Sequence, residues 1–167
     1  MSRTLPRYNR LLKPLAQEPT QVYLGTEVHL VGLLSWILDQ TGPAEVFVTT
    51  FSTSDDFLCG FKRLRDDGLI SHSVLLADFK ASNKTIQLGA LMRSAFDEVF
   101  FSENHSKLML VKGGGLTVTV VTSQNQTYGG RVECTMISSD CATWLKLHDC
   151  LKAIIDNKSV TYKEWMH

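Results

Sequence analysis

Two short polar triplets carry the residue types that could do chemistry in this chain: His105-Ser106-Lys107 and Ser123-Gln124-Asn125. Along a strand, residues two apart point to the same face. His105 and Lys107 therefore project together, and so do Ser123 and Asn125. Strand geometry has no need of an imidazole, an ammonium, a hydroxyl and a carboxamide at these places. A phosphate group does. Lysine supplies charge, and serine and asparagine supply hydrogen-bond donors around the oxygens. Histidine is a nucleophile or proton carrier near neutral pH. Singly, each has an ordinary reading. A histidine opening a strand is a surface or structural residue, and an edge lysine is solvated. Residues 123–127, with Gly129-Gly130 after them, read as a polar loop. Glu133, between Val132 and Cys134, reads as an exposed strand acid. The combination is what points to a phosphate site.

The elements around the triplets follow from hydrophobic spacing and punctuation. Residues 1–25 read as an irregular arm, with prolines at 6, 14 and 19 and the cations Arg3, Arg7, Arg10 and Lys13 against Glu18 alone. Such an arm could touch phosphates or stay a solvated terminus. Residues 26–167 read as one domain. Thr26 is a candidate cap for a buried helix from Glu27 to about Gln40, stopped by Gly42-Pro43. His29 on that helix reads as a core histidine. Residues 45–51 read as a buried strand. Ser54 caps the next helix, Asp55 and Asp56 occupy its first turn, and Gly68 closes it. Strands follow at 73–77 and 98–101, separated by a helix over Thr85 to Phe96. This alternation predicts crossover units.

The pattern then changes. Residues 107–111 and 116–121 flank Lys112-Gly113-Gly114-Gly115, a hairpin signature. Its pairing brings both triplets to one edge of the sheet. A strand near Arg131 to Ser138 and a helix from Asp140 to about Asn157 complete the chain. Trp144, Leu145, Leu147, Leu151, Ile154 and Ile155 form the helix's expected inward face. The predicted fold class is α/β: an α/β/α sandwich with a central mixed, largely parallel β-sheet. Residues 51–54 end the first strand of that sheet where ligands usually sit in α/β proteins, and Arg131 near the triplets is a further candidate phosphate contact.

The H-x-K strand, turn, strand and S-x-N order resembles the HKD signature of the phospholipase D superfamily, over roughly residues 27–157. The family pattern is H-x-K-x4-D-x6-G-S-x-N. Here Lys112 stands at the aspartate and Thr122 at the glycine, and the longer gap predicts a wider turn at Gly113-Gly114-Gly115. Only one copy is present, so the resemblance implies a phospholipase D-like half that dimerises, as the small nucleases of the superfamily do. It implies a phosphodiesterase of nuclease type in which His105 attacks phosphorus and forms a phosphohistidine. Lys107, Ser123 and Asn125 would hold the phosphate oxygens, and Glu133 would accept a hydrogen bond from the histidine ring nitrogen opposite the attacking one. No metal or cofactor is implied. The alternative is a catalytically inactive module that binds nucleic acid or a protein partner.

Composition bounds these readings. The chain has 167 residues, 44% hydrophobic and 20% charged, which is enough to bury a core without metal or disulfide staples. Lys+Arg and Asp+Glu are 17 each, so a strongly basic nucleic-acid binder is excluded for the chain as a whole, though not a local basic patch. Cys59, Cys134, Cys141 and Cys150 have no CxxC spacing. With no secretory signal before them, they predict reduced thiols and a cytoplasmic protein. Cys141 and Cys150 are expected to pack as small apolar residues. The apolar stretch Val28 to Leu38 is too short to span a membrane of about 20 residues' thickness. Lipid phosphodiester hydrolysis is disfavoured by the lack of a membrane anchor or basic amphipathic helix.

Overall fold

The computed structural model describes residues 5–79, 87–127 and 129–165. Among these the element order is α1 (Leu5–Leu11), β1 (Thr20–Gly25), α2 (Leu30–Thr41), β2 (Ala44–Thr50), α3 (Asp55–Asp66), β3 (Ile70–Asp78), α4 (Gly89–Ala95), β4 (Glu98–Ser102), β5 (Leu108–Gly113), β6 (Leu116–Thr122), β7 (Glu133–Ser138), α5 (Cys141–Lys158), β8 (Val160–Thr161) and α6 (Tyr162–Trp165). The expected start of the helix at Thr85 and Ile86 lies outside the described residues. One eight-stranded sheet runs in the order β1-β7-β6-β5-β2-β3-β4-β8.

The sheet is mixed, but not largely parallel as expected. Only β2·β3 and β3·β4 are parallel, and the other five neighbouring pairs are antiparallel. The reason lies in the connections. Crossovers through α3 and α4 make the two parallel pairs. Hairpin and return connections make the rest, since a short turn can only reverse the chain.

Alternating strand residues feed two apolar clusters, one on each face. Val46, Val48, Leu75, Ala77, Met109 and Val111 join α1 to α4 in the larger cluster. Leu76 and Leu110 pack with Trp144 and Leu151 of α5, flanked by Phe47, Leu147 and Ile155. Leu145 and Ile154, expected inward, are 47% and 38% exposed. Helix α5 covers the sheet with one stripe only, and these two lie beside it. All four cysteines are exposed free thiols, so Cys141 and Cys150 do not pack in the core as expected.

Residues 5–25 are not an irregular arm. Tyr8, Leu12 and Leu15 are buried in the larger cluster. The Gln21 carboxamide ties the connecting turn, accepting from Lys13 N at 2.7 Å and donating to the carbonyls of Lys13 and Glu18 at 2.6 and 2.8 Å. Tyr8 also replaces the expected Thr26 cap. Helix α2 begins three residues late, with His29 at the cap position and no side-chain cap bond. The Tyr8 hydroxyl donates to His29 O at 2.8 Å and accepts from His29 N at 2.9 Å. An added Cβ at Gly32 would sit 2.5 Å from the Tyr8 oxygen, so the glycine makes room for that ring.

Candidate active site

The carboxyl ends of β2, β3 and β4 lie side by side, and the amino end of β5 joins them through antiparallel pairing with β2. The segment carrying His105 is anchored there by Asn104, which is 7% exposed. Asn104 N donates to Asp78 Oδ2 at 2.7 Å, and its Nδ2 donates to Thr50 O at 3.1 Å. Its Oδ1 accepts from Ser106 N at 3.1 Å and from Ser106 Oγ at 2.5 Å. Ser106 in turn meets Thr49 Oγ1 at 2.7 Å. With Asn104 buried and Ser106 bonded to Asn104 and Thr49, the segment leaves the His105 and Lys107 side chains to meet each other.

Those two side chains meet. Lys107 Nζ lies 3.4 Å from His105 Nδ1 and donates to His105 O at 2.9 Å. The Phe51 ring leans on the imidazole with centroids 4.9 Å apart. An aromatic ring on one side and an ammonium on Nδ1 fix the ring's plane and leave Nε2 as its other polar atom.

The second triplet lies at the same end of the sheet. The expected wide glycine turn is instead a tight one. Gly113 is the last residue of β5, and Gly114 and Gly115, at φ 55° and 81°, are the two turn residues. Positive φ at both positions is the geometry that matches the twist of a two-residue hairpin. The extra residues therefore lengthen the strands. Leu108 pairs with Val121, and Thr122 N donates to Lys107 O at 3.1 Å. Because opposed residues share a face, Lys107 is in phase with Thr122, and Ser123 with Ser106.

Ser123 then leaves β5 for β7. Its N donates to Cys134 O at 3.0 Å, while its Oγ accepts from Cys134 N at 3.1 Å and donates to Glu133 Oε2. Asn125 lines a polar cleft of about 250 Å³ with Thr26, His29, Thr127, Arg131 and Glu133. Its Oδ1 is buried and, among the described residues, has no hydrogen-bond partner. The structure thus brings His105 to Lys107 and Ser123 to Glu133, with Asn125 in the adjoining cleft. The strand bond from Thr122 to Lys107 joins the two groups.

The two departures from the family pattern have clear places. Lys112 is far along β5, its ammonium 5.6 Å from the Trp144 ring centroid on the α5 side. Thr122 locks β6 to β7, with Oγ1 donating to Cys134 O at 3.1 Å and meeting Thr135 Oγ1 at 2.9 Å. Burial, and after it the Arg7 guanidinium, lowers the His29 pKa from its ordinary value, which favours a neutral imidazole in the cleft. Among the described residues no group of three or more His, Cys, Asp or Glu is placed to hold a metal ion.

No family model and no curated protein matches the sequence. Solved structures do match the fold. Nuc from Salmonella typhimurium, a phospholipase D family member, superposes with a TM-score of 0.63 at 14% identity, over 86% of this chain and 97% of its own. The chain has the phospholipase D fold. NucT from Helicobacter pylori gives 0.64 at 14% identity, over 86% of this chain and 98% of its own. TrmBL2, an archaeal chromatin protein with a novel mode of DNA binding, gives 0.53 at 10% identity, over 92% of this chain and 59% of its own. The chain therefore spans nearly the whole of the two bacterial structures.

Several residues that shape this corner of the phospholipase D fold were not singled out from sequence as parts of the site. Asn104 and Asp78 hold the His105 segment, and Thr26 joins the cleft. Asp78 had one legible signal: a carboxylate ending an apolar strand, where an unpaired charge is costly. Asn104 and Thr26 had none beyond proximity to other residues.

Proposed function

We propose that this protein is a metal-independent phosphodiesterase acting on nucleic acid, with His105 as nucleophile and the active site completed by a second copy of the chain. The observation that carries the reading is the His105–Lys107 pair, held at the end of a phospholipase D-type sheet by the Asn104 bonds.

His105 Nε2 attacks phosphorus. An N–P bond forms as a P–O ester bond breaks, and the leaving oxygen takes a proton from His105 of the second copy. That second histidine then accepts a proton from water, whose oxygen forms a new P–O bond as the N–P bond breaks. The products are a phosphomonoester and an alcohol. Lys107 and Asn125 from both copies hold the non-bridging oxygens and stabilise the charge that builds there. The tautomers follow from the partners of Nδ1. An ammonium donating to Nδ1 leaves the ring proton on Nε2, as an acid requires. A carboxylate accepting from Nδ1–H leaves a lone pair on Nε2, as a nucleophile requires. Glu133 of the second copy is that carboxylate, and its turn towards histidine releases the Ser123 hydroxyl to the phosphate.

The pleat phase of Ser123 relative to Lys107, together with Lys112 and Thr122, favours a second reading: a module that binds nucleic acid without cutting it. One experiment separates them. Purified protein is incubated in EDTA with single-stranded and duplex DNA and with bis-p-nitrophenyl phosphate, beside His105→Ala. The first reading requires turnover in EDTA that the substitution abolishes. Cleavage that needs a divalent metal, or survives the substitution, overturns it. Retardation of DNA on a gel without cleavage supports the second reading.

A further inference from the structure

The cleft beside Ser123 and Glu133 is rich in donors that the mechanism above leaves unused. Arg131 borders it and, among the described residues, makes no ion pair. The hydroxyls of Thr26 and Thr127 line it. His29, the cap residue of the twelve-residue helix α2, lines it too and offers the first turn no side-chain acceptor; Leu30 and Val31 of that turn line an adjoining hollow. Helix N–H groups left in this state favour an anion. The carboxylate in the cleft, Glu133, already accepts from Ser123.

A second hollow of about 130 Å³ shares His29, Gln124, Asn125 and Thr127 with the cleft and adds Gln126. Gln126 is 3% exposed, and among the described residues neither Oε1 nor Nε2 has a partner. Burying an amide without its hydrogen bonds is costly. An unpaired amide kept in a hollow that shares four residues with the cleft points to a group that arrives from outside. The cleft's volume is below the ~300–1,000 Å³ of drug-sized ligand pockets, so one small anion fits it and a whole nucleotide does not.

We infer that this cleft is a second phosphate subsite, in which Arg131, Thr26, Thr127 and the α2 amino end take a backbone phosphate flanking the scissile one. The inference rests on the phosphodiester reading of His105 and Lys107 and deepens it: the substrate is a strand of successive phosphates, not an isolated diester. Guanidinium forks suit phosphate oxygens, and the cleft is continuous with the catalytic group through Glu133 and Asn125.

The test reads binding, not turnover. Fluorescein-labelled thymidine oligonucleotides of increasing length, from a dinucleotide to a decamer, are titrated with the full chain in EDTA at several salt concentrations. Wild-type affinity should rise once a second phosphate is present. Arg131→Gln should remove that gain, about tenfold on the decamer, and lower the salt slope by about one. Arg131→Lys should restore the slope. Lys152→Gln, on α5, controls for a general loss of charge.

The inference is overturned if Arg131→Gln weakens the dinucleotide as much as the decamer, or if it leaves every length unchanged. It is overturned too if Lys152→Gln has the same effect. Cleavage that proceeds normally while Arg131→Gln shows no length effect sinks the subsite alone. Length-dependent binding by a protein that never cleaves sinks the catalytic reading alone.

Discussion

At the scale of single residues, the pair His105–Lys107 and the pair Asn104–Ser106 divide the labour of one short segment. Asn104 and Ser106 spend their polar atoms on the fold, through Asp78, Thr49 and Thr50. Their neighbours keep theirs for a ligand. His105→Ala should therefore cost about 10²–10⁴-fold or more in turnover and leave thermal stability near wild type, measured side by side. Glu133→Gln should slow turnover without unfolding the protein, because its bond to Ser123 can be kept by a carboxamide oxygen. Wild-type rates for that variant would remove Glu133 from the mechanism. His29 gives a prediction in pH. Its pKa in the folded protein is lowered by burial, then by Arg7. Between the folded value and the unfolded value of about 6.5, the unfolded chain binds more protons. Stability from this residue is thus complete above about pH 6.5 and falls as acid is added below it. His29→Asn should flatten that part of a denaturant-midpoint profile taken from pH 7.5 to 5.

At the scale of elements, register is decided at turns and caps. Gly114 and Gly115 make the β5–β6 turn at positive φ, and an added Cβ at Gly114 would collide with the Thr41 carbonyl oxygen. Gly114→Ala should cost at least ~1–2 kcal/mol from the left-handed backbone alone, read by urea denaturation. An unchanged midpoint would reject the turn geometry. Ser54 has a double task. Its Oγ accepts from Phe57 N at 3.3 Å as the cap of α3 and donates to Gln126 O at 2.8 Å. That second bond helps hold the 123–127 segment, which also bridges to Thr53. Ser54→Ala should lose about 1–2 kcal/mol and, through Gln126, loosen the cleft. Ser54→Asp should restore the cap and not the second bond, so stability returns further than oligonucleotide affinity does.

At the scale of the whole molecule, every candidate group lies at one end of the sheet, where β1, β2, β3, β4 and β6 finish and β5 and β7 begin. A single copy supplies one His105 there. The proposed mechanism uses two, so on that reading activity requires a pair of chains. Co-expressing His105→Ala with wild type in varied ratio should make activity fall as the square of the wild-type fraction. A linear fall would mean that each copy works alone. No helix among the described residues is long and apolar enough to cross a membrane.

Much of this architecture was legible in the sequence because local physics decides it. The Ser54 cap, the helix closed near Gly68, the Asp140 cap and the glycine hairpin each follow from a few adjacent residues. So does the pairing of His105 with Lys107, since two-residue spacing needs no distant partner. Distant partners decided the rest. Strand order depends on which faces find cover, so the sheet came out mostly antiparallel. Tyr8, Leu12 and Leu15 became core because the segment packs on α2, where Tyr8 reaches His29, and Ser123 joined Glu133 because β6 pairs with β7 in a register that sets Ser123 against Cys134. The donor-lined cleft gathers residues from β1, α2 and the β6–β7 connection, and no window along the chain contains them together.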